Sequence, residues 1–259
     1  MHLCANLSML WTDRPLAARV AAAAEVGFAA VEVQFPGDDD VAGLRAAARA
    51  AGIAIELINV PRGGGDEVGL AALPGREAAF AAAVARCRAQ AEALGVAKVN
   101  VLAGRPPPDA DPDACAATLT HNLRHAADSF AALGVRVMVE PVNPHDVPGF
   151  FLTGLDAGLA ALARAQHPNL ALQFDLYHMA ITEPDLPASI RRAGAAIGHV
   201  QFADAPGRHE PGTGDTDFAA ALAALRTVGY DGAVSAEYHP VGATGEGLDW
   251  MSRFEELIA

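Results

Sequence analysis

Short apolar runs alternate with longer segments of helical periodicity along the whole chain, and this alternation limits the fold more than any other feature. Eight runs of apolar and β-branched residues predict strands at 3–7, 30–35, 53–60, 98–104, 135–142, 170–178, 197–204 and 232–240. Segments with apolar residues at helical spacing follow them at 15–27, 41–52, 75–95, 113–133, 154–166, 185–195, 217–228 and 246–257. Gly52 and Gly134 each stand directly before a predicted strand, which suits the C-terminal cap of a helix.

Eight consecutive strand-helix units in one chain of 259 residues predict an α/β fold of the (β/α)8 TIM barrel type. No segment has the composition of a linker, so we expect a single domain over residues 1–259. An open doubly wound sheet is the competing architecture. It usually carries a Gly-rich phosphate loop after its first strand, and the stretch ANLSMLWTDRP at 5–15 is not such a loop.

The charge and the cysteines restrict the partners and the compartment. A formal net charge of −13 opposes binding to nucleic acid and to anionic membrane surfaces, so a small molecule is the expected partner. The three cysteines form no CxxC pair, and the N-terminal segment has neither a basic region nor a long apolar run. These features predict a soluble cytoplasmic protein that binds no membrane, and they leave a homo-oligomer open.

Four predicted strands in succession carry a polar residue near their C-terminal ends. Glu140 lies in the stretch MVEPVNPHDV (138–147), and Asp175, Gln201 and Glu237 hold similar positions in the next three strands. In a TIM barrel, side chains at these ends face the active-site mouth. Three carboxylates this close are tolerable around a cation, and a set of oxygen ligands suits Mg²⁺ or Mn²⁺ better than zinc.

Each of these residues also has a simpler interpretation. One acid at a strand end is often solvated or caps a helix, and only the repetition on four strands favours a shared site. Glu32 and Glu56 lie in the second and third predicted strands, where either could face the mouth or form a structural pair. The acidic run GDDDV at 37–41 is typical of a solvated loop before a helix.

Seven ordered motifs run through the chain. They are CANLSMLW (4–11), NVPRGG (59–64), PGRE (74–77), EPVNPHDVPGFFLTG (140–154), QFDLYHM (173–179), GHVQFADAPGRHEPGTG (198–214) and AEYHP (236–240). Together they resemble the hydroxypyruvate isomerase family within the xylose-isomerase-like TIM barrels. The resemblance runs from about residue 2 to residue 257, and its motifs are long, which makes it more specific than a short phosphate-loop pattern.

The resemblance implies a cytoplasmic enzyme that interconverts hydroxypyruvate and 2-hydroxy-3-oxopropanoate. It places Glu140, Asp175, Gln201 and Glu237 at the family's metal-ligand positions, and Glu140 and Glu237 at its two proton-transfer positions. Such a carbonyl shift removes a C–H proton, passes through an ene-diolate and returns a proton to the adjacent carbon. Which glutamate acts as the base and which as the acid stays open.

Two residues beside the predicted ligands are candidates for substrate binding. His178 lies three residues after Asp175 and, with Tyr177, could hydrogen-bond a substrate oxygen, or it could cap the following loop. Asp146 follows Glu140 closely and could orient a ligand or the substrate, or it could stabilise its own loop.

Arginines in three loops could bind a substrate carboxylate. Arg208 lies in GRHEPGTGD (207–215), a glycine-rich segment of the kind that closes over a site. Arg105 follows Gly104 at a position where the resembled family often has lysine, and Arg62 follows the third predicted strand. Guanidinium groups pair with carboxylates through two hydrogen bonds, although a loop arginine is more often solvated.

The sequence leaves several activities of the same barrel as alternatives. An isomerase of 2-oxo-tetronate shares nearly all of the motifs, and sugar epimerases differ by carrying histidine where this chain has Gln201. An inosose-type dehydratase would use the same metal to expel water. A zinc endonuclease would need several histidine ligands and a basic groove, which the charge of −13 and the four predicted ligands do not provide.

Overall fold

The computed structural model describes residues 1–259 and contains eight parallel strands that close into a barrel. Each strand pairs with the next one along the chain, and the first strand pairs with the last. This confirms the predicted (β/α)8 architecture. The strands are β1 (His2–Asn6), β2 (Ala30–Val33), β3 (Ala54–Asn59), β4 (Lys98–Val101), β5 (Arg136–Val139), β6 (Leu170–Asp175), β7 (Ile197–Phe202) and β8 (Ala233–Ala236).

Nine helices surround the strands, one more than the periodicity predicts. They are α1 (Leu16–Glu25), α2 (Asp40–Ala51), α3 (Glu77–Leu94), α4 (Pro112–Ala131), α5 (Gly154–Ala165), α6 (Leu176–Thr182), α7 (Leu186–Ala193), α8 (Phe218–Thr227) and α9 (Trp250–Ile258). Gly52 and Gly95 cap α2 and α3 in the left-handed conformation, with φ of 70° and 72°. None of the helices is long and apolar enough to span a membrane.

The additional helix α6 corrects the predicted end of the sixth strand. The apolar run 170–178 predicts a strand throughout, but the strand ends at Asp175 and a helix begins at Leu176. The carboxylate of Asp175 accepts the backbone N–H of Tyr177 at 2.9 Å, which is an N-terminal cap. Hydrophobic periodicity alone does not reveal such a cap, because the first four residues of α6 are buried like those of the strand.

The main hydrophobic core lies between the strands and the helices, in a cluster of 67 buried residues. The predicted strands end earlier in the structure, so that Glu140 is the first residue after β5 and Glu237 the first after β8. Asp175 is the last residue of β6, and Gln201 is the last but one of β7. All four therefore lie at the C-terminal ends of their strands, as predicted, where a TIM barrel builds its active site.

Candidate active site

A cavity of about 210 Å³ opens at the C-terminal ends of the strands. Its walls combine carboxylates, basic groups and aromatic rings, a mixture that suits a small polar ligand held against an apolar surface. The lining residues are Gln34, Phe35, Asn59, Arg62, Val68, Leu102, Glu140, Val142, Val147, Phe150, His178, Arg208 and Glu237. Both predicted proton-transfer residues therefore face one small space.

Three buried carboxylates share this end of the barrel. Burial raises the pKa of Glu140 well above its ordinary value, and the negative charges of Glu237 and Asp175 raise it further. Burial also raises the pKa of Glu237 to about 7, although Arg208 opposes the shift. For Asp175 the same two opposing effects give a pKa of about 6. The three acids lie close together, because Glu140 and Asp175 have oxygens within 4.8 Å of each other and Nη2 of Arg208 lies near both Asp175 and Glu237.

Glu237 and Glu140 differ in the number of groups that donate to them. Oε1 of Glu237 accepts three carboxamide N–H groups, from Asn6 at 2.8 Å, Gln34 at 2.8 Å and Gln201 at 3.0 Å. Glu140 accepts one, from Asn100 at 2.7 Å. Because N–H donors stabilise the ionised form of a carboxylate, the geometry favours charge on Glu237 more than on Glu140.

Arg208 lies among the acids as their internal counter-ion. Its Nη2 lies 2.6 Å from Oε2 of Glu237 and 3.7 Å from Oδ2 of Asp175, and its guanidinium carbon lies 5.0 Å from the ring centre of Tyr177. Burial alone would lower the pKa of Arg208, but the carboxylates of Glu237 and Asp175 raise it above the ordinary arginine value. Its Nε is buried and has no hydrogen-bond partner.

The loop that carries Arg208 is held by one buried acid at the end of β7. The Asp204 carboxylate accepts backbone N–H groups from Gly212 at 2.8 Å and Thr216 at 3.0 Å. A side chain at Gly214 would meet the Ala205 carbonyl oxygen at 2.4 Å, so the loop folds back tightly there. The predicted glycine-rich segment is therefore anchored on Asp204, and the side chain of Arg208 near its start reaches the acids.

The hydrogen bonds around Asn143 assign the tautomer of His178. Oδ1 of Asn143 accepts the backbone N–H groups of His145 and Asp146, so its Nδ2 donates to Nδ1 of His178 at 2.7 Å. Burial lowers the pKa of His178 to about 3, which leaves a neutral ring with its proton on Nε2. That N–H lies 3.9 Å from Glu140 and is a donor for a bound oxygen.

The donor set fits a divalent cation. Oδ2 of Asp175 is buried and has no hydrogen-bond partner, and Glu140, Asp175 and His178 each offer an atom within 4.8 Å of the others. Because the His178 N–H points into this group, the carboxylate oxygens are its metal-binding atoms. Hard oxygen ligands of this kind suit Mg²⁺ and Mn²⁺.

The Gln201 side chain is already hydrogen-bonded through both its nitrogen and its oxygen. Its Nε2 donates to Glu32 at 2.6 Å and to Glu237 at 3.0 Å, while its Oε1 accepts from Gln173 at 2.7 Å. The amide nitrogen therefore faces the acids. A role in metal binding would use the second lone pair of Oε1.

The structure brings two of the other predicted substrate-binding residues to the mouth and leaves one outside. Asp146 accepts the Tyr177 hydroxyl at 3.3 Å and lies 3.8 Å from Arg208. Arg62 lines the cavity, with its guanidinium 5.6 Å from the ring centre of Phe35. Arg105 instead lines a neighbouring cavity formed by the proline-rich loop and lies 3.8 Å from the Asp66 carboxylate.

Sequence reasoning missed the amides that surround the carboxylates. Asn6, Gln34 and Asn100 lie at or near the C-terminal ends of β1, β2 and β4, and each donates to Glu140 or Glu237. The signal was available, because these are polar residues at the ends of apolar runs. The predicted site drew its ligands from the last four strands and included no neutral donor from the first four.

Comparisons with known proteins identify the family of this barrel. A family model described as xylose isomerase-like TIM barrel matches residues 20–254. A 2-oxo-tetronate isomerase of Cupriavidus necator is 42% identical and a hydroxypyruvate isomerase of Escherichia coli is 37% identical, with 98% of this chain and 98% and 99% of those chains covered. A crystal structure titled AP endonuclease, family 2, from Brucella melitensis superposes with a TM-score of 0.94 at 36% identity and covers 98% of this chain and 99% of that one.

Proposed function

The chain belongs to the hydroxypyruvate isomerase family of the xylose isomerase-like TIM barrels and is an isomerase, and we propose that it interconverts hydroxypyruvate and 2-hydroxy-3-oxopropanoate. The observation that carries this proposal is the shared cavity of about 210 Å³, which Glu140 and Glu237 both line together with Arg208. Two acid-base groups and one guanidinium meet the needs of a carbonyl shift in a small acid.

The two glutamates divide the proton transfers. The four donors around Glu237 favour its ionised form, so we assign it the removal of the C–H proton from the substrate. Glu140 accepts one hydrogen bond from an amide, so we assign it the delivery of the proton that the adjacent carbon receives. In the reverse direction the same two groups exchange roles. The N–H of His178 donates to the substrate oxygen on which negative charge develops.

Arg208 binds and orients the substrate carboxylate. Its Nη2 holds Glu237, and its buried, unpartnered Nε leaves a donor for an acid. Asp146 and Tyr177 support the guanidinium from the other side. A substrate held in this way presents its neighbouring carbons between the two glutamates.

Glu140, Asp175 and Glu237 would hold a divalent cation, and Mg²⁺ or Mn²⁺ is the proposed ion. Gln201 would add a fourth oxygen only through the second lone pair of Oε1, because its nitrogen faces the acids. When bound, such an ion supplies positive charge that stabilises adjacent oxygens as they become negative. The support within this chain is the unpaired Oδ2 of Asp175 and the absence of thiolate among the donors.

A second substrate is favoured by one specific observation. The relative from Cupriavidus necator that is 42% identical is named a 2-oxo-tetronate isomerase, and that substrate class has one more carbon and the same carboxylate. Phe35 and Phe150 line the same cavity as Glu140. The space between these rings and Glu140 therefore decides which chain length binds in the productive position.

The other activities of this barrel have less support. A nuclease would need several histidine ligands and a basic surface, and the metal-binding group contains one histidine in a chain of net charge −13. Sugar epimerases and dehydratases act on neutral substrates, which have no carboxylate for Arg208 to bind. The three cysteines are free, in keeping with a proposed location in the reducing cytoplasm.

An activity screen tests the proposal. The protein is incubated with hydroxypyruvate and with 2-oxo-tetronate, each with and without EDTA, and the products are identified by proton NMR. We expect isomerisation of at least one acid, with loss on chelation and recovery on addition of Mg²⁺ or Mn²⁺. Formation of a dehydrated product, or turnover of neutral ketoses but not of acids, would replace this proposal with one of the alternatives.

A further inference from the structure

A string of charged groups joined by hydrogen bonds runs from the active site toward the N-terminal ends of the strands. None of these groups takes part directly in the proposed proton transfers. Glu32 and His199 are completely buried, with Oε2 of Glu32 2.7 Å from Nε2 of His199. Nδ1 of His199 lies 3.4 Å from Nζ of Lys98, and that ammonium lies 3.2 Å from the carboxylate of Glu56. Burying such groups is costly, so their arrangement needs an explanation.

The direction of the hydrogen bonds in this string follows from Lys98. An ammonium group has only donors, so Nδ1 of His199 must accept from it. The remaining ring proton of a neutral His199 then lies on Nε2, where it donates to Glu32. Lys98 thereby sets the tautomer of His199, and His199 presents a donor to Glu32.

Two amide groups link Glu32 to Glu237. Its Oε1 accepts one hydrogen from Asn6 at 2.8 Å and one from Gln201 at 2.6 Å. The same two NH2 groups donate their other hydrogens to Oε1 of Glu237, at 2.8 Å and 3.0 Å. Because an ionised carboxylate only accepts, Glu32 favours the orientation in which both amides turn their nitrogens toward Glu237. The Ser8 backbone N–H and the Gln173 amide favour the same orientation, since they donate to the side-chain oxygens of Asn6 and Gln201.

We propose that Glu32 is a positioning residue for Glu237, and that Lys98, through His199, fixes the direction of the hydrogen bonds that make it one. The two bridging amides occupy Oε1 of Glu237 and leave Oε2 to face the cavity, where Arg208 and the substrate lie. This inference rests on the proposed function, in which Glu237 transfers the proton. Partners at this distance from the reacting atoms typically affect activity through the residues they orient.

The variant Glu32→Gln disrupts the string by exchanging an acceptor for a donor. If its oxygen faces Asn6 and Gln201, its NH2 group faces the N–H of His199. Transfer of the ring proton to Nδ1 would remove that conflict but would direct an N–H at Lys98. We therefore expect kcat to fall about 10- to 100-fold with little change in KM.

A second substitution tests the direction of the bonds. In Glu32→Gln/Lys98→Met the ring of His199 is free to carry its proton on Nδ1 and to accept from Gln at position 32. We expect the double variant to recover most of the kcat that Glu32→Gln loses. A purely structural ion cluster would instead recover stability without recovering kcat, because removing both opposite charges leaves neither of them uncompensated.

The matched control removes a charge at the far end of the same string. Glu56→Gln loses the ion pair with Lys98 but leaves the bonds between His199, Glu32 and the amides in place. We expect a lower midpoint of thermal unfolding and an unchanged kcat. If Glu56→Gln lowers kcat as much as Glu32→Gln, the effect is general destabilisation and the proposal is wrong.

A readout independent of activity comes from ¹H–¹⁵N NMR of the imidazole ring, assigned by the signals lost in His199→Gln. The wild-type ring should carry its proton on Nε2 alone, and the double variant should carry it on Nδ1. A doubly protonated wild-type ring would overturn the assignment. If the ring result holds but the wild-type protein isomerises neither acid, the proposed function fails while the direction of the string stands.

Discussion

Arg208 and Glu237 form an ion pair at the barrel mouth, with Nη2 of the guanidinium 2.6 Å from Oε2 of the carboxylate. The arginine comes from the loop after β7 and the glutamate from the first position after β8. Their contact joins the group proposed to bind the substrate carboxylate to the group proposed to remove its proton. Oε2 of Glu237 therefore links the proposed binding of the substrate carboxylate to the proposed proton transfer.

Removing the guanidinium should weaken the binding of acids selectively. For Arg208→Ala we expect the KM of hydroxypyruvate to rise about 10- to 100-fold, as for the loss of one charge-assisted hydrogen bond, and the KM of a neutral ketose to change much less. Steady-state kinetics on both substrates gives the comparison. Arg86→Ala, at an exposed ion pair on α3, is the control and should leave both constants unchanged. Equal effects on acid and neutral substrates would remove Arg208 from carboxylate binding.

The glutamates should fail in different ways when each becomes glutamine. Turnover should fall about 10²- to 10⁴-fold in both variants, the usual range for a positioned acid or base. In D₂O, Glu140→Gln should still exchange the C–H proton of hydroxypyruvate without forming product, because Glu237 remains. Glu237→Gln should exchange no proton when the reaction starts from hydroxypyruvate. Proton NMR started from each substrate in turn assigns the roles, and isomerisation at the wild-type rate by both variants would reduce the two acids to ligands.

Metal binding should depend on the unpaired oxygen of Asp175. For Asp175→Asn we expect the affinity for Mn²⁺, measured by calorimetric titration, to fall on the order of 10- to 100-fold. The control Asp156→Asn changes an exposed acid on α5 and should titrate as the wild type does. In Gln201→His the preference should shift toward zinc. Identical metal profiles for Gln201→His and wild type would exclude Gln201 as a ligand.

Close packing under Glu140 makes Gly158 a sensitive position. A Cβ at Gly158 on α5 would lie 2.7 Å from the ring of Pro141, the residue that follows Glu140. Gly158→Ala should therefore destabilise the protein by about 1–3 kcal/mol and lower kcat by displacing Glu140. The matched variant Gly43→Ala, on the exposed face of α2, meets its nearest neighbour at 3.7 Å and should stabilise by up to about 1 kcal/mol. The free energy of unfolding of both variants is measured in urea. Equal changes in the two would contradict the close contact at Gly158.

Stability should fall in acid through Glu56. A hydrogen bond from His2, together with the charge and hydrogen bond of Lys98, lowers its pKa to about 2 against the effect of burial. Because the folded pKa lies below the ordinary value of 4.5, the stabilisation is complete above pH 4.5 and is lost as the pH falls toward 2. At pH 7, Glu56→Gln should cost about 1–2 kcal/mol, after allowance for solvent screening.

The pH series needs two unfolding curves for each protein. The difference in unfolding free energy between wild type and Glu56→Gln should shrink between pH 5 and pH 2. Glu25→Gln, at the exposed end of α1, supplies the comparison for a surface glutamate. A difference that stays constant over this range would mean that Glu56 is not the group that titrates.

The sequence was sufficient for the barrel because each unit carries its own signal. Apolar runs and helical spacing alternate eight times, and the structure closes the eight strands in that order. The helix α6 could not be predicted in this way. Its start depends on a single contact, from the Asp175 carboxylate to the backbone N–H of Tyr177, which competes with the strand periodicity of the same residues.

The site was predictable in its positions and less so in its contacts. The positions of Glu140 and Glu237 at strand ends follow from the barrel geometry and need no knowledge of loops. The difference between Arg208 and Arg105 depends on the path of two loops, which local sequence does not determine. The orientation of the Gln201 amide depends on donors and acceptors from three other strands, so it emerges only when the strands are assembled.

Asn6 and Glu237 share a hydrogen bond across 231 positions of the chain, at the seam where the first strand pairs with the last. During folding this contact forms only when the first and last strands pair, which brings together residues far apart in the sequence and is therefore slow. A partly folded chain in which β8 has not paired with β1 would lack the hydrogen bond from Asn6 to Glu237. Recovery of activity after dilution from denaturant would therefore report the closing of the ring and not the formation of its secondary structure.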